Sequence, residues 1–246
     1  MSQFQNIIRS LPPVTKNLII INFLVWLAMM ILPGRLGIDV MKYGALHFVE
    51  APDFNFLQLF SYMFMHSTSS FSHILFNMFT LFMFGVVLER VLGSKRFLLF
   101  YITCGLGAAV IQEGVWALTL PDMIAKELAR MNHVPVEEIK QWLAAEPQIL
   151  KQNFDVFTTV GASGAIYGIL LAFGMIFPNR PMYLMFIPVP VKAKWMVTGF
   201  VVLELLIGLS SAQDGVAHFA HLGGMLIGFL IIIYWKKKGI INGFYY

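Results

Sequence analysis

Two short runs carry residue types able to do covalent chemistry. Gly161-Ala162-Ser163-Gly164-Ala165-Ile166-Tyr167-Gly168 offers a hydroxyl, and Ala220-His221-Leu222-Gly223-Gly224-Met225-Leu226-Ile227-Gly228 offers an imidazole. A serine hydroxyl becomes a useful nucleophile when a base within hydrogen-bond reach can take its proton. Both runs lie in apolar stretches, and each holds small residues at every fourth position: Gly164, Gly168 and Ala172 in one, Ala220, Gly224 and Gly228 in the other. Such ladders let two helix backbones approach closely. Ser163 adjoins the first ladder and His221 the second, so packing the ladders together brings hydroxyl and imidazole within reach. Tyr167 lies one turn from Ser163 on the same face, placed to press its ring against His221. The chemistry this suggests is peptide-bond hydrolysis inside a bilayer.

Acyl transfer also needs donors aimed at the developing oxyanion, each worth about 3–4 kcal/mol when preorganised. His73 and Asn77, in Ser72-His73-Ile74-Leu75-Phe76-Asn77, share a helix face at i, i+4 and suit that role. The backbone N–H of Ser163 is a third donor. A polar clamp between helices is the competing use of His73 and Asn77. His66 is expected to order the loop before its helix. His218, one turn before His221, is the rival base, but only His221 sits beside a small-residue ladder. No acidic residue is an obvious orienting partner for His221: Asp214 falls in a loop, and Glu113 and Glu204 fall on other helices. Glu204, an ionisable group in an apolar helix, is expected to be structural, facing Lys192 or a polar cavity. The expected unit is a Ser163–His221 dyad supported by Tyr167.

These residues must be positioned by membrane helices. The chain is 58% hydrophobic and 12% charged, against roughly 25% charged in an average soluble domain. The fold class is therefore an all-α polytopic membrane protein, with one domain over residues 1–246. Six segments read as spans: about 17–32, 72–88, 97–118, 163–177, 195–211 and 216–235. Arg9 and Lys16 precede the first span, and no small-residue cleavage site follows it, so it reads as a retained helix rather than a signal peptide. The segment 54–65 is apolar and aromatic but broken by polar residues, and reads as interfacial. The net charge of +4 reflects Lys and Arg clustered in short loops, which argues topology and not nucleic-acid binding. With Arg9, Lys16, Arg90, Lys95, Arg96, Arg180, Lys192, Lys194 and Lys236 to Lys238 on one side, both termini are cytoplasmic. The single Cys104 excludes an intrachain disulfide framework and a cysteine metal site.

The fourth span is short. From Ser163 to the break at Pro178 the helix has roughly 15 residues and about 22 Å of length, against a hydrocarbon core of about 30 Å. With its inner end at the inside surface, its outer end stops below the outside surface and submerges Ser163. Irregular backbone at that depth requires a polar cavity. Between the third and fourth spans, residues 120–159 form an extracytoplasmic insertion with helical spacing (Ile124, Leu128, then Ile139, Leu143), broken at His133-Val134-Pro135 and by Pro147. It reads either as a helical hairpin on the outer face or as a polar insertion without a role of its own.

Taken together, Gly161-x-Ser163-Gly164 with Tyr167, His73-x-x-x-Asn77, and Ala220-His221-x-x-Gly224-x-x-x-Gly228 resemble the rhomboid family of intramembrane serine proteases. The likeness covers residues 15–235 apart from the insertion. It implies a six-helix bundle with Ser163 as nucleophile, His221 as base, and His73 and Asn77 as oxyanion donors. It implies no cofactor and no metal. It also implies residence in a membrane such as the bacterial inner membrane, and single-span membrane proteins as substrates, cut near the outer end of their helix. It leaves the oligomeric state open. In such proteins the fifth helix and the following loop, here 195–211 and 210–215, gate access. The long third outer loop and the absence of a clear Trp-Arg pair in the first outer loop depart from the pattern. A metal-dependent enzyme using His66, His73, His218 and His221 is disfavoured, because no His-Glu-x-x-His motif and no suitable Cys or carboxylate ligand set is evident.

Overall fold

The computed structural model describes residues 10–183, 189–210 and 217–241. Arg9, Asp214 and most of the loop expected to gate access (211–215) therefore lie outside the described residues. Along the chain run α1 (Pro13–Leu36), α2 (Val40–Gly44), α3 (Gln58–Ser61), α4 (Phe71–Leu92), α5 (Ser94–Asn132), α6 (Val136–Ala145), α7 (Pro147–Gln152), α8 (Ser163–Ile176), β1 (Pro181–Tyr183), β2 (Pro190–Lys192), α9 (Ala193–Leu209) and α10 (His218–Lys237). Helices α1, α4, α5 and α10 are long and apolar enough to cross a membrane, while α8 and α9 have 14 and 17 residues.

Helix α8 is the axis of the molecule. Ten of its fourteen residues are buried, and Ser163, Tyr167, Leu171 and Met175, on one stripe, are half-buried, the pattern of a helix largely surrounded by other helices. Its neighbours come close because glycine removes the obstacle. A Cβ on Gly224 of α10 would lie 1.8 Å from the carbonyl oxygen of Gly164, and one on Gly228 would lie 3.2 Å from the Cα of Gly168. Helix α5 closes on the same ladder, with Ala108 against Gly164 and Cys104 against Gly168. The lower end of α8 is tied by Lys236 Nζ, which donates to the Met175 carbonyl at 2.8 Å.

Helix α4 contains a π-helical turn at Leu81–Gly85, just after the turn that carries Asn77. At one end of the bundle the end of α4 and the start of α1 are joined by buried Glu89. Its Oε1 accepts from Val14 N at 2.9 Å and Ser94 Oγ at 2.7 Å. Its Oε2 accepts from Thr15 N at 2.7 Å and Thr15 Oγ1 at 2.8 Å. A carboxylate that satisfies the first amides of a helix also complements its dipole. Removing it leaves several buried donors unpaired, so Glu89→Ala is expected to destabilise by about 3 kcal/mol or more. The thermal midpoint of the purified protein in detergent measures this, with Glu89→Gln falling between the two.

Three expectations are corrected. The helix of the third span does not end before residue 120: α5 continues through Pro121 to Asn132, about 58 Å of helix at 1.5 Å per residue. Helix α6 packs Ile139 and Leu143 against the C-terminal part of α5, burying Ile124, Ala125 and Ala129. That packing offsets the cost of an internal proline, about 3 kcal/mol. The hairpin expected in 120–159 is thus the projecting end of α5 with α6 folded back on it. Next, the chain is not wholly helical. Strands β1 and β2 pair antiparallel, Pro181 opposite Lys192, and proline is tolerated at the ends of a two-stranded ribbon. Finally, Glu204 does not face Lys192; its surroundings belong to the site.

Candidate active site

The chain reaches Ser163 along a pinned path. Leu46 and Thr159 exchange backbone hydrogen bonds of 2.9 and 3.0 Å, and Gly161 N donates to the Tyr62 carbonyl at 2.9 Å. Gly161 then adopts φ +134°, a conformation open to glycine. A side chain here would also press on His73, whose Nε2 lies 3.1 Å from the position of such a Cβ. Ser163 follows as the first residue of α8, with no side chain capping that helix end. The first-turn amides are therefore uncapped by side chains and cluster at the serine.

Ser163 Oγ and His221 Nε2 are 2.8 Å apart. The Tyr167 ring stacks on the His221 ring with centroids 4.2 Å apart and planes within 10°. Both placements follow from the glycine ladder, since Gly164 and Gly224 lie within one turn of the reacting groups. His218, the rival base, instead turns its ring nearly perpendicular to His221, with centroids 6.2 Å apart.

On the facing helix, His73 Nδ1 accepts from Ser67 N at 3.3 Å. An imidazole nitrogen that accepts carries no proton, so the proton of neutral His73 sits on Nε2. That nitrogen borders the same space above Gly161 as Ser163 Oγ. Asn77 is buried and donates through Nδ2 to the His73 carbonyl at 2.8 Å. The second proton of that amide group has no intrahelical use. His66 is fully buried beside His73, ring centroids 5.1 Å apart, and neither of its nitrogens has a hydrogen-bond partner among the described residues.

The residue that the sequence left without a role is Glu204 on α9. Its Oε1 accepts from Tyr167 OH. Its Oε2 lies 2.6 Å from His218 Nδ1 and 3.0 Å from His221 Nδ1. The His221 contact is close but not aligned as a hydrogen bond. The available signal was the carboxylate itself, since an ionisable group within an apolar helix is a functional candidate by default. Glu204, His218 and His221 also form a set that could ligate a metal. However, tetrahedral ligands at about 2.0–2.1 Å from zinc stand about 3.3 Å apart. The 2.6 Å contact is a hydrogen bond, too short for two ligands sharing an ion. A second set, His47, Asp53 and Asp155, lies away from these residues in the segments between helices, where Lys42 Nζ already neutralises Asp53 at 3.0 Å.

Apolar helices of spanning length around a buried polar cluster define a multi-pass membrane protein. The rhomboid domain model matches residues 53–238, well over half of the chain, and the chain belongs to the rhomboid family. It is 29% identical over 180 residues to the Rhomboid protease AarA of Providencia stuartii, covering 70% of this chain and 53% of that protein. It is 28% identical over 171 residues to the mitochondrial Rhomboid protein 1 of Saccharomyces cerevisiae, covering 70% and 40%. RHOMBOID-like protein 4 of Arabidopsis thaliana is 29% identical over 160 residues, covering 65% and 29%. The chain thus spans about half or less of the length of these curated relatives.

Proposed function

We propose that the chain is an intramembrane serine endopeptidase that cuts single-span membrane proteins near the outer end of their transmembrane helix. The observation that carries this reading is the 2.8 Å contact between Ser163 Oγ and His221 Nε2 at the outer end of a short, largely buried helix. His221 Nε2 takes the hydroxyl proton as Ser163 Oγ attacks the scissile carbonyl carbon. Negative charge then develops on the carbonyl oxygen, and the Nε2–H of His73, the Asn77 amide and the Ser163 N–H are the donors that meet it. Collapse of the tetrahedral adduct breaks the C–N bond, and His221 returns its proton to the leaving amine. Water, activated by the same imidazole, releases the acyl group and restores Ser163. No cofactor is needed at any step.

The topology supporting this reading keeps both termini in the cytoplasm, with the basic inner loops on that side. A bacterial inner membrane fits it. Helix α8, about 21 Å long, is shorter than a hydrocarbon core of about 30 Å. With Lys236 and Arg180 at the inner surface, Ser163 stands below the outer surface, where water reaches it from outside. A transmembrane substrate would present its outer helix end at that depth.

The test uses purified protein with a tagged single-span substrate. Wild type is expected to give two fragments, with the new terminus near the outer end of the substrate helix. Ser163→Ala is expected to give none, and a chelator to change nothing. Cleavage that persists in Ser163→Ala and stops with chelator contradicts the proposal.

A further inference from the structure

Helix α9 contacts the bundle along a narrow strip. Beyond Val197, Glu204 is its only fully buried side chain, while Leu203, Leu205, Leu206 and Leu209 face outward. Aliphatic residues hold the inner half of the helix; a carboxylate holds the outer half. A buried charge in an apolar helix is costly unless its partners satisfy it, and here every partner belongs to the proposed reaction centre. Tyr167, whose ring stacks on His221, donates to Oε1, and the Nδ1 edges of His218 and His221 converge on Oε2.

We infer that Glu204 is the positioning residue for His221, delivered by α9, so that the base is oriented only while that helix is docked. This rests on the Ser163–His221 reading above. The imidazole has three exposed directions. Tyr167 covers its face, Ser163 Oγ meets Nε2 at 2.8 Å, and Glu204 Oε2 lies 3.0 Å from Nδ1. An acceptor at Nδ1 holds the proton there and leaves the Nε2 lone pair toward the hydroxyl, the tautomer a base requires. When His221 takes the serine proton, the same carboxylate faces the imidazolium. At 3.0 Å the pair is in reach but not aligned as a hydrogen bond, and a rotation of the imidazole against the anchored carboxylate aligns it.

Docking of α9 depends on one further close contact. A Cβ on Gly208 would sit 3.1 Å from His218 Cβ and 3.3 Å from the Phe219 ring. A substituent there pushes the outer half of α9 outward and draws Glu204 off the imidazole. Any motion of α9 that admits a substrate helix acts on the base in the same way.

The experiment measures kcat and KM for cleavage of a tagged single-span substrate by wild type, Ser163→Ala, Glu204→Gln, Glu204→Asp, Gly208→Ala and the Glu204→Gln/Gly208→Ala pair. Active sites are counted with a fluorophosphonate probe, so that misfolded protein does not enter kcat. Glu204→Gln is expected to lower kcat per labelled site on the order of 10²-fold with KM changed less than about twofold, and Glu204→Asp to recover part of the loss. Gly208→Ala lowers kcat less, and its effect disappears in the Glu204→Gln background, because both act through one contact. Unchanged kcat per site in Glu204→Gln, or a loss carried entirely by the labelled fraction, overturns the inference while leaving the dyad intact. Additive effects of the two substitutions overturn the dependence on docking. A wild type that neither labels nor cleaves overturns the serine reading and this inference with it.

Discussion

His221→Ala lowers the rate of substrate cleavage by at least about 10³-fold, whereas His218→Ala lowers it by less than about tenfold. The two histidines are one turn apart on α10 and both reach Glu204, so proximity to that carboxylate does not separate them. Geometry does. Only His221 Nε2 lies 2.8 Å from Ser163 Oγ, and only His221 is stacked against Tyr167. Without that imidazole the serine hydroxyl has no base, and the residual rate is what binding and oxyanion donors supply alone. Loss of His218 removes one partner from Glu204 and leaves His221 as the remaining imidazole at that carboxylate. Initial-rate measurements on the purified variants, normalised to folded protein, decide the matter. Equal losses in the two variants would remove the distinction between them.

Gly224→Ala is expected to have the largest structural effect of any single methyl group added to a glycine among the described residues. Its Cβ would stand 1.8 Å from the Gly164 carbonyl oxygen and 2.7 Å from the Gly164 carbonyl carbon. Those are backbone atoms, so no side chain can rotate away. The helices themselves must separate by about 1.5 Å or more. Overpacking a core costs about 1–3 kcal/mol when side chains can adjust, and this contact lies at or above the top of that range. The same separation widens the gap between Ser163 and His221, which flank Gly164 and Gly224. Gly224→Ala therefore loses both thermal stability and cleavage. Gly114→Ala is the control: nothing lies within 4 Å of its Cβ, and alanine is the better helix former by about 1 kcal/mol. If Gly224→Ala matches Gly114→Ala in melting midpoint and rate, the close packing of α8 on α10 is not what holds the site.

The parts of the site that could be read from sequence are those set by local periodicity. Small residues at every fourth position flanked Ser163 and His221, and that spacing alone implied two backbones in contact. Tyr167 was placed by its one-turn offset, and His73 and Asn77 by theirs. Glu204 was not placed, because its relation to His221 spans two helices and the loop between them, and no periodicity records which way α9 is rotated. The tautomer of His73 was equally out of reach, being set by one backbone amide, that of Ser67, in an irregular segment. The projecting end of α5 was missed for a different reason. Pro121 reads locally as a helix end, but the apolar faces of α5 and α6 meet beyond it, and tertiary packing outweighs the local preference.

Ser163 is the proposed nucleophile, and its reactivity can be read directly. The most direct measurement treats the purified protein with a fluorophosphonate probe, locates the adduct by mass spectrometry, and follows cleavage of the single-span substrate as labelling proceeds. The prediction is one adduct per chain, on Ser163, with cleavage falling in proportion to the labelled fraction and no adduct in Ser163→Ala. Full labelling of Ser163 with cleavage undiminished would contradict it.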